Sequence, residues 1–225
     1  MQVQVLPDAA AVAVEAAKFI AQQGRGAVAA RGRFILALSG GKSPLPMFRA
    51  LVTEDLPWSR VYVAQVDERV APAGHPDRNL THLQEDLLQR VPLPPDHILP
   101  MPVEAPNLKA AAVQYSQRLR EIAGTPPVLD LVHLGIGPDG HTASLVPDDP
   151  VLNVTDADVA LSGPYQGRLR MTLTFPALNR ARRILWLATE PEKASVLARL
   201  RSADPTIPAG RVRQDHALLL TLSSS

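Results

Sequence analysis

The sequence predicts an α/β fold built on a largely parallel sheet with helices on both faces. Short apolar runs that read as strands alternate along the chain with stretches of helical spacing, the signature of βαβ units. The runs are continuously apolar, as in Arg33-Phe34-Ile35-Leu36-Ala37-Leu38, so both faces of each strand are expected to be covered. Two of them stop abruptly at glycine-rich turns, the place where ligands of open α/β sheets bind.

The elements follow in order. A helix is expected over residues 8 to about 23, entered at Pro7-Asp8 and ended near Gly24. After the strand at 33–38, a helix over 44 to about 56 takes Ser43 as N-cap and Pro44 at its first position. A strand at 61–66, a loop over 67–78, a helix over 79 to about 90 and a short strand at 97–100 come next. Asn107 caps an amphipathic helix in which Leu108, Ala111, Ala112, Tyr115, Leu119 and Ile122 keep helical spacing, and Gly124 ends it. The strand at 128–134 runs into a turn, after which Thr142-Ala143-Ser144 reads as a short helix. Residues 147–167, rich in Asp, Pro and Gly, read as a loop, either a rim over a site or a plain surface connection. A strand at 170–174, a strand at 183–188, a helix over 191 to about 202 and a strand at 216–222 close the chain, with Ser223-Ser224-Ser225 expected to fray. No repeat or composition break appears, so residues 1–225 read as one domain.

Composition excludes several functions. The 225 residues are 46% apolar and 20% charged, a globular balance. A formal charge of +1 without blocks of like charge argues against nucleic acid as a partner. No apolar run reaches the ~18 residues that a bilayer span requires. Met1-Gln2-Val3-Gln4-Val5 lacks the charged start and apolar centre of a secretory signal, and a cytoplasmic location is expected. There are no cysteines, which removes disulfides, thiolate catalysis and cysteine-bound metals.

Chemistry concentrates at the two turns. Leu134-Gly135-Ile136-Gly137-Pro138-Asp139-Gly140-His141 delivers an Asp and a His two residues apart at a strand end, where His141 can act as an acid or base near neutral pH. Ser39-Gly40-Gly41-Lys42-Ser43-Pro44 offers close-approach backbone N–H groups, two hydroxyls and a cation before a helix, which suits a phosphate. The same pattern serves equally as a tight strand–helix turn with an exposed lysine. It is not a nucleotide P-loop, and no G-x-G-x-x-G follows a strand. Both turns open toward one edge of a parallel sheet, and Asp67-Glu68-Arg69 faces that edge too, unless it is simply a solvated charge cluster. His133 lies within a strand and reads as a satisfied core histidine. His75, His82, His97 and His216 show no paired spacing, so no metal is expected.

These residues resemble the 6-phosphogluconolactonase family. Ser39-Gly40-Gly41-Lys42-Ser43-Pro44, Val66-Asp67-Glu68-Arg69-Val70 with His75-Pro76-Asp77 and Asn79, the run Leu134 to Pro147, Arg170-Met171-Thr172-Leu173-Thr174 and Pro191-Glu192-Lys193 are similar to its motifs, in order, over residues 30–200. The resemblance implies a Rossmann-like three-layer α/β/α sandwich that hydrolyses 6-phospho-D-glucono-1,5-lactone in the pentose phosphate pathway without a cofactor. A small phosphosugar lactone is then the partner. On this reading His141 is the base, kept neutral near a helix N-terminus, and Asp139 orients it or shapes the turn. Asp67 is the reserve base, and Arg69 stabilises the oxyanion or contacts ring hydroxyls. Ser39, Gly40, Gly41, Lys42, Ser43 and Gly140 surround the phosphate, with Arg170 and Lys193 as charged partners. Ser43 stands where Thr is common, and Arg78 stands where Ser is expected, adding a charge near the rim. Glucosamine-6-phosphate deaminases share the fold and both turns, but carry a carboxylate five residues after the His; here that position is Val146. Sugar-phosphate-binding regulators also use the fold, with an added DNA-binding segment for which this chain has no room.

Overall fold

The computed structural model describes residues 1–222, so the expected fraying of residues 223–225 lies outside the described residues. The elements run β1 (Gln2–Leu6), α1 (Ala9–Arg31), β2 (Phe34–Leu38), α2 (Leu45–Leu51), β3 (Val61–Gln65), β4 (Asp67–Arg69), α3 (Asn79–Asp86), β5 (Ile98–Leu99) and α4 (Leu108–Ala123). They continue with β6 (Leu131–Leu134), β7 (Val159–Tyr165), β8 (Arg168–Leu173), α5 (Phe175–Asn179), β9 (Ile184–Ala188), α6 (Ala194–Arg201) and β10 (Ala217–Leu222).

Seven strands form one sheet in the order β1-β10-β9-β6-β2-β3-β5, and every pairing in it is parallel. Strand residues alternate between its two faces. Phe34, Leu36 and Leu38 of β2 join Ile20, Met47 and Phe48 from α1 and α2 in one core. Ile35 and Ala37 join Leu119 of α4, Phe175 of α5 and Leu200 of α6 in the other. Both layers fill with aliphatic side chains, which explains why β2, β6 and β9 are apolar at every position but one.

A second sheet, absent from the sequence reading, pairs β4, β8 and β7 antiparallel. Two of its three strands, β4 and β7, fall in the segments expected to be loops, 67–78 and 147–167. β4 has only three residues. β7 contains Gly163 and Pro164 and is an edge strand, where a proline without an N–H is tolerated. The expected strand at 170–174 begins at Arg168 because it pairs with β7.

Other expectations are corrected at element ends. α1 passes straight through Gly24 to Arg31 and stops at Gly32, whose φ is 74°. Gly24 is there for contact, since a Cβ on it would lie 2.3 Å from Leu56 Cδ1 and 3.0 Å from Phe34. α2 spans Leu45–Leu51 with Pro44 as its N-cap; the Ser43 hydroxyl donates to Glu190 instead of capping the helix. α3 ends at Asp86 and a single tight turn, Leu88–Arg90, follows. Pro191–Lys193 forms another such turn before α6. β6 begins at Leu131, β10 at Ala217 and β5 is two residues long. β1 is an unforeseen edge strand beside β10, and α5 an unforeseen short helix. Asn107 and Gly124 cap α4 as expected, Asn107 accepting from Ala110 N at 3.0 Å.

Candidate active site

β2 and β6 are neighbours at the middle of the sheet, and the two glycine-rich turns leave from their carboxyl ends. Ser39 Oγ donates to the His133 carbonyl at 2.9 Å and holds the ends of the two strands together. The hydroxyl of Ser39 is therefore spent on the scaffold. A cavity of about 290 Å³ opens between the turns. Its wall includes Ser39 to Ser43, Asp67, Arg69, Gly137, His141, Arg170 and Lys193, so nearly all the residues singled out in the sequence meet in one place.

The Asp-Gly-His turn is closed by its own backbone, with Gly137 N donating to the His141 carbonyl at 2.9 Å and Gly140 N to the Gly137 carbonyl at 3.0 Å. Gly140 sits at φ 83°, in the turn rather than on the cavity wall. The His141 ring folds back over Gly137, where an added Cβ would lie 2.1 Å from its Nδ1. His141 Nδ1 lies 2.5 Å from Asp139 Oδ1, and the same oxygen accepts the His141 backbone N–H at 3.1 Å. Burial pushes the Asp139 carboxyl up, but these His141 contacts outweigh it and hold the group below the usual carboxylate range. An ionised Asp139 accepts a proton-bearing Nδ1, which leaves Nε2 of His141 as the free basic nitrogen. No helix follows. Residues 142–145 form a tight turn with Ala143 at φ 52° and Thr142 bridged to Leu145, so Asp139, not a helix N-terminus, is the group that the His141 ring meets.

β4 separates the charges of Asp67-Glu68-Arg69 by its alternation. Asp67 and Arg69 line the cavity, while Glu68 points away and is fully buried. Glu68 accepts from the backbone N–H groups of Arg69 and Asn79 at 2.8 Å and of Leu80 at 2.9 Å, and pairs with Arg78 at 3.1 Å. The cluster is not solvated, and Arg78 is not a rim charge: at 3% exposure it neutralises Glu68 inside the protein. Asp67 Oδ2 accepts from Ser144 Oγ at 2.6 Å. Burial raises its pKa, against the opposing pull of Ser144 and Arg170. Arg69 donates to the Asp77 carbonyl at 2.8 Å.

Directly across the β4–β8 ladder from Arg69, Arg170 is almost wholly buried, and its Nε has no partner among the described residues. Burial lowers its pKa, offset in part by Asp67, and it remains a cation. Lys193 pairs with Glu190 at 3.0 Å, and Ser43 donates to the same carboxylate. Burial disfavours the charge on Glu190, yet Ser43 and Lys193 keep its pKa below the ordinary value. Gly40 sits against Asn79, whose Oδ1 a Cβ would approach within 2.1 Å, and Gly41 has φ 103°. Asn79 was quoted as part of the family's motifs but given no role, and Gln166 and Glu190 were not singled out from the sequence. Glu190 follows the carboxyl end of β9, so the strand-end rule that located His141 also applies to it.

His133 faces the α1–α2 core beside Leu38 and Leu185 rather than the cavity. It is not a satisfied histidine: both ring nitrogens are buried without partners among the described residues, and burial pushes its pKa down to about 3.

The family model described as glucosamine-6-phosphate isomerases/6-phosphogluconolactonase matches residues 7–221. A curated 6-phosphogluconolactonase of Synechocystis sp. is 37% identical over 202 residues, covering 87% of this chain and 84% of its own length. The crystal structure of 6-phosphogluconolactonase from Thermotoga maritima superposes with a TM-score of 0.87 at 26% identity over 98% of both chains. A monomeric glucosamine-6-phosphate deaminase superposes with a TM-score of 0.87 at 17% identity over 100% of this chain and 98% of its own, a likeness of fold alone. Two turns on adjacent parallel strands, one cavity between them and a family match over nearly the whole chain agree: the chain belongs to the glucosamine-6-phosphate isomerase/6-phosphogluconolactonase family.

Proposed function

We propose that this chain hydrolyses 6-phospho-D-glucono-1,5-lactone to 6-phospho-D-gluconate, in the oxidative branch of the pentose phosphate pathway. One observation carries the reading: the Asp139–His141 pair opens into the same cavity as Arg170, Lys193 and the Ser39–Ser43 turn. A base and several cations in one cavity suit a molecule that reacts at C1 and is held by its phosphate. The cavity, about 290 Å³, is of the size a single sugar phosphate needs. In keeping with a cysteine-free chain we place the reaction in the cytoplasm, and we read residues 1–225 as one domain, since β1 and β10 from the two ends pair in one sheet.

His141 Nε2 takes a proton from water, and the oxygen attacks the lactone carbonyl. Arg69, on the cavity wall, faces the developing oxyanion. The tetrahedral intermediate then expels the ring oxygen, which takes up the proton held on His141. Water's O–H and the ester C–O bond break, and the acid and the C5 hydroxyl form. Arg170, Lys42, Lys193 and the Gly40-Gly41 backbone bind the phosphate. Gly140 acts through the turn, and Asp67 is the reserve base.

A deaminase would need a second carboxylate beside the His to open an aminosugar ring. Val146 stands at that position, so lactone opening is the favoured chemistry. Replacing His141 by Asn tests the reading. Turnover should fall by about 10²–10⁴-fold with the Michaelis constant nearly unchanged, the cost of removing a general base. Near-normal turnover would reject His141 and make Asp67 the next base to test.

A further inference from the structure

The hairpin between β7 and β8 carries a side chain to the base that the mechanism above does not use. Gln166 at φ 52° and Gly167 at φ 77° reverse the chain in two residues. The residue before them, Tyr165, reaches the Asp-Gly-His turn. Its hydroxyl donates to Oδ2 of Asp139 at 3.1 Å. Its ring meets that of His141 edge-on, with centroids 5.2 Å apart and planes at 62°. From the other side the Arg170 guanidinium lies 5.0 Å over the ring and donates to the Tyr165 carbonyl at 3.3 Å.

We propose that Tyr165 is a positioning residue for lactone hydrolysis, completing a Tyr165–Asp139–His141 chain that fixes the tautomer and direction of the base. The inference rests on His141 being that base. Asp139 is a third exposed and sits on a turn, so its carboxylate would be free to rotate and to exchange partners with water. One oxygen is already committed: Oδ1 accepts from the ring and backbone of His141. Oδ2 has Tyr165 as its partner among the described residues, and with both oxygens anchored the carboxylate plane is set. A phenol suits this task because it is rigid and loses little rotamer freedom. It also stays a donor: burial and the charge of Asp139 both raise the Tyr165 pKa, although Arg170 opposes them. Besides Asp139, Arg170 is the charge against the ring; Asp67, Arg69, Glu190 and Lys193 line the same cavity. Orienting partners of this kind act on rate through the group they hold, not through substrate affinity.

Tyr165→Phe keeps the ring, its edge contact with His141 and its stacking under Arg170, and removes only the hydroxyl. Turnover should fall by roughly 3- to 10-fold, the size of one modest hydrogen bond, with KM within about twofold of the parent. The acid limb of the kcat/KM profile should move to higher pH by about a few tenths of a unit. Asp139 no longer shares its charge with the phenol and so holds the imidazolium more tightly. In the His141→Asn background the same substitution should cost nothing further. Wild-type turnover with an unmoved acid limb, beside an inactive His141→Asn enzyme, would overturn the Tyr165 assignment alone. A raised KM with unchanged turnover would also overturn it, because Tyr165 would then be touching substrate. An active His141→Asn enzyme would remove the base and this role with it.

Discussion

Glu190 divides the cations of the cavity into two kinds. It holds Lys193 in an ion pair and accepts from Ser43, whereas Arg170 keeps its Nε unpartnered among the described residues. A phosphate therefore gains most from Arg170, and gains less from Lys193 because a carboxylate must first be displaced. Arg170→Ala should raise KM by roughly 10- to 100-fold and change turnover little, since this contact is the same in ground and transition states. Glu190→Gln should act in the opposite direction. The pair is partly exposed, so KM should fall by only about 2- to 5-fold, and inorganic phosphate should inhibit more strongly by the same factor. Steady-state kinetics with phosphate as competitor measures both. A KM that rises in Glu190→Gln would mean that Glu190 binds the sugar hydroxyls instead.

At the scale of elements, β6 contains a group that costs stability. His133 is buried with both ring nitrogens unpartnered among the described residues, and its pKa is depressed to about 3 from an ordinary 6.5. The unfolded chain protonates this group below pH 6.5 while the folded one does not until near pH 3, so protons favour unfolding throughout that window. His133→Leu should raise the melting temperature at neutral pH, and raise it more at pH 5, while leaving turnover unchanged. Thermal unfolding at the two pH values checks this; equal gains at both would show that His133 is not held neutral. Strands such as β6 were legible because parallel central strands need apolar residues on both faces. β4 and β7 were not, since a three-residue strand has no period to read and Gly163-Pro164 spells a turn. Gly24 misled for a related reason: glycine marks either a helix end or a close contact, and only the position of Leu56 and Phe34 decides which. At the site, His141, Asp139 and the Ser39–Ser43 turn were legible from local strand–turn grammar. Tyr165 and the burial of Arg78 were not, because each depends on contacts with residues distant in the chain.

For the whole molecule, the parallel sheet does the assembling: it brings the ends of β2, β6 and β9 to one edge, and the small antiparallel sheet closes that edge with Arg69, Tyr165 and Arg170. The central claim is that this enclosure pairs an anion clamp with a single base for lactone opening. The direct measurement is acid release by the purified protein from 6-phospho-D-glucono-1,5-lactone, run beside unphosphorylated gluconolactone and beside ammonia release from glucosamine-6-phosphate. The account predicts rapid opening of the phosphorylated lactone, a kcat/KM lower by about 10²-fold or more without the phosphate, and no measurable ammonia. Equal activity on the unphosphorylated lactone, or ammonia release at a rate comparable to lactone opening, would contradict it.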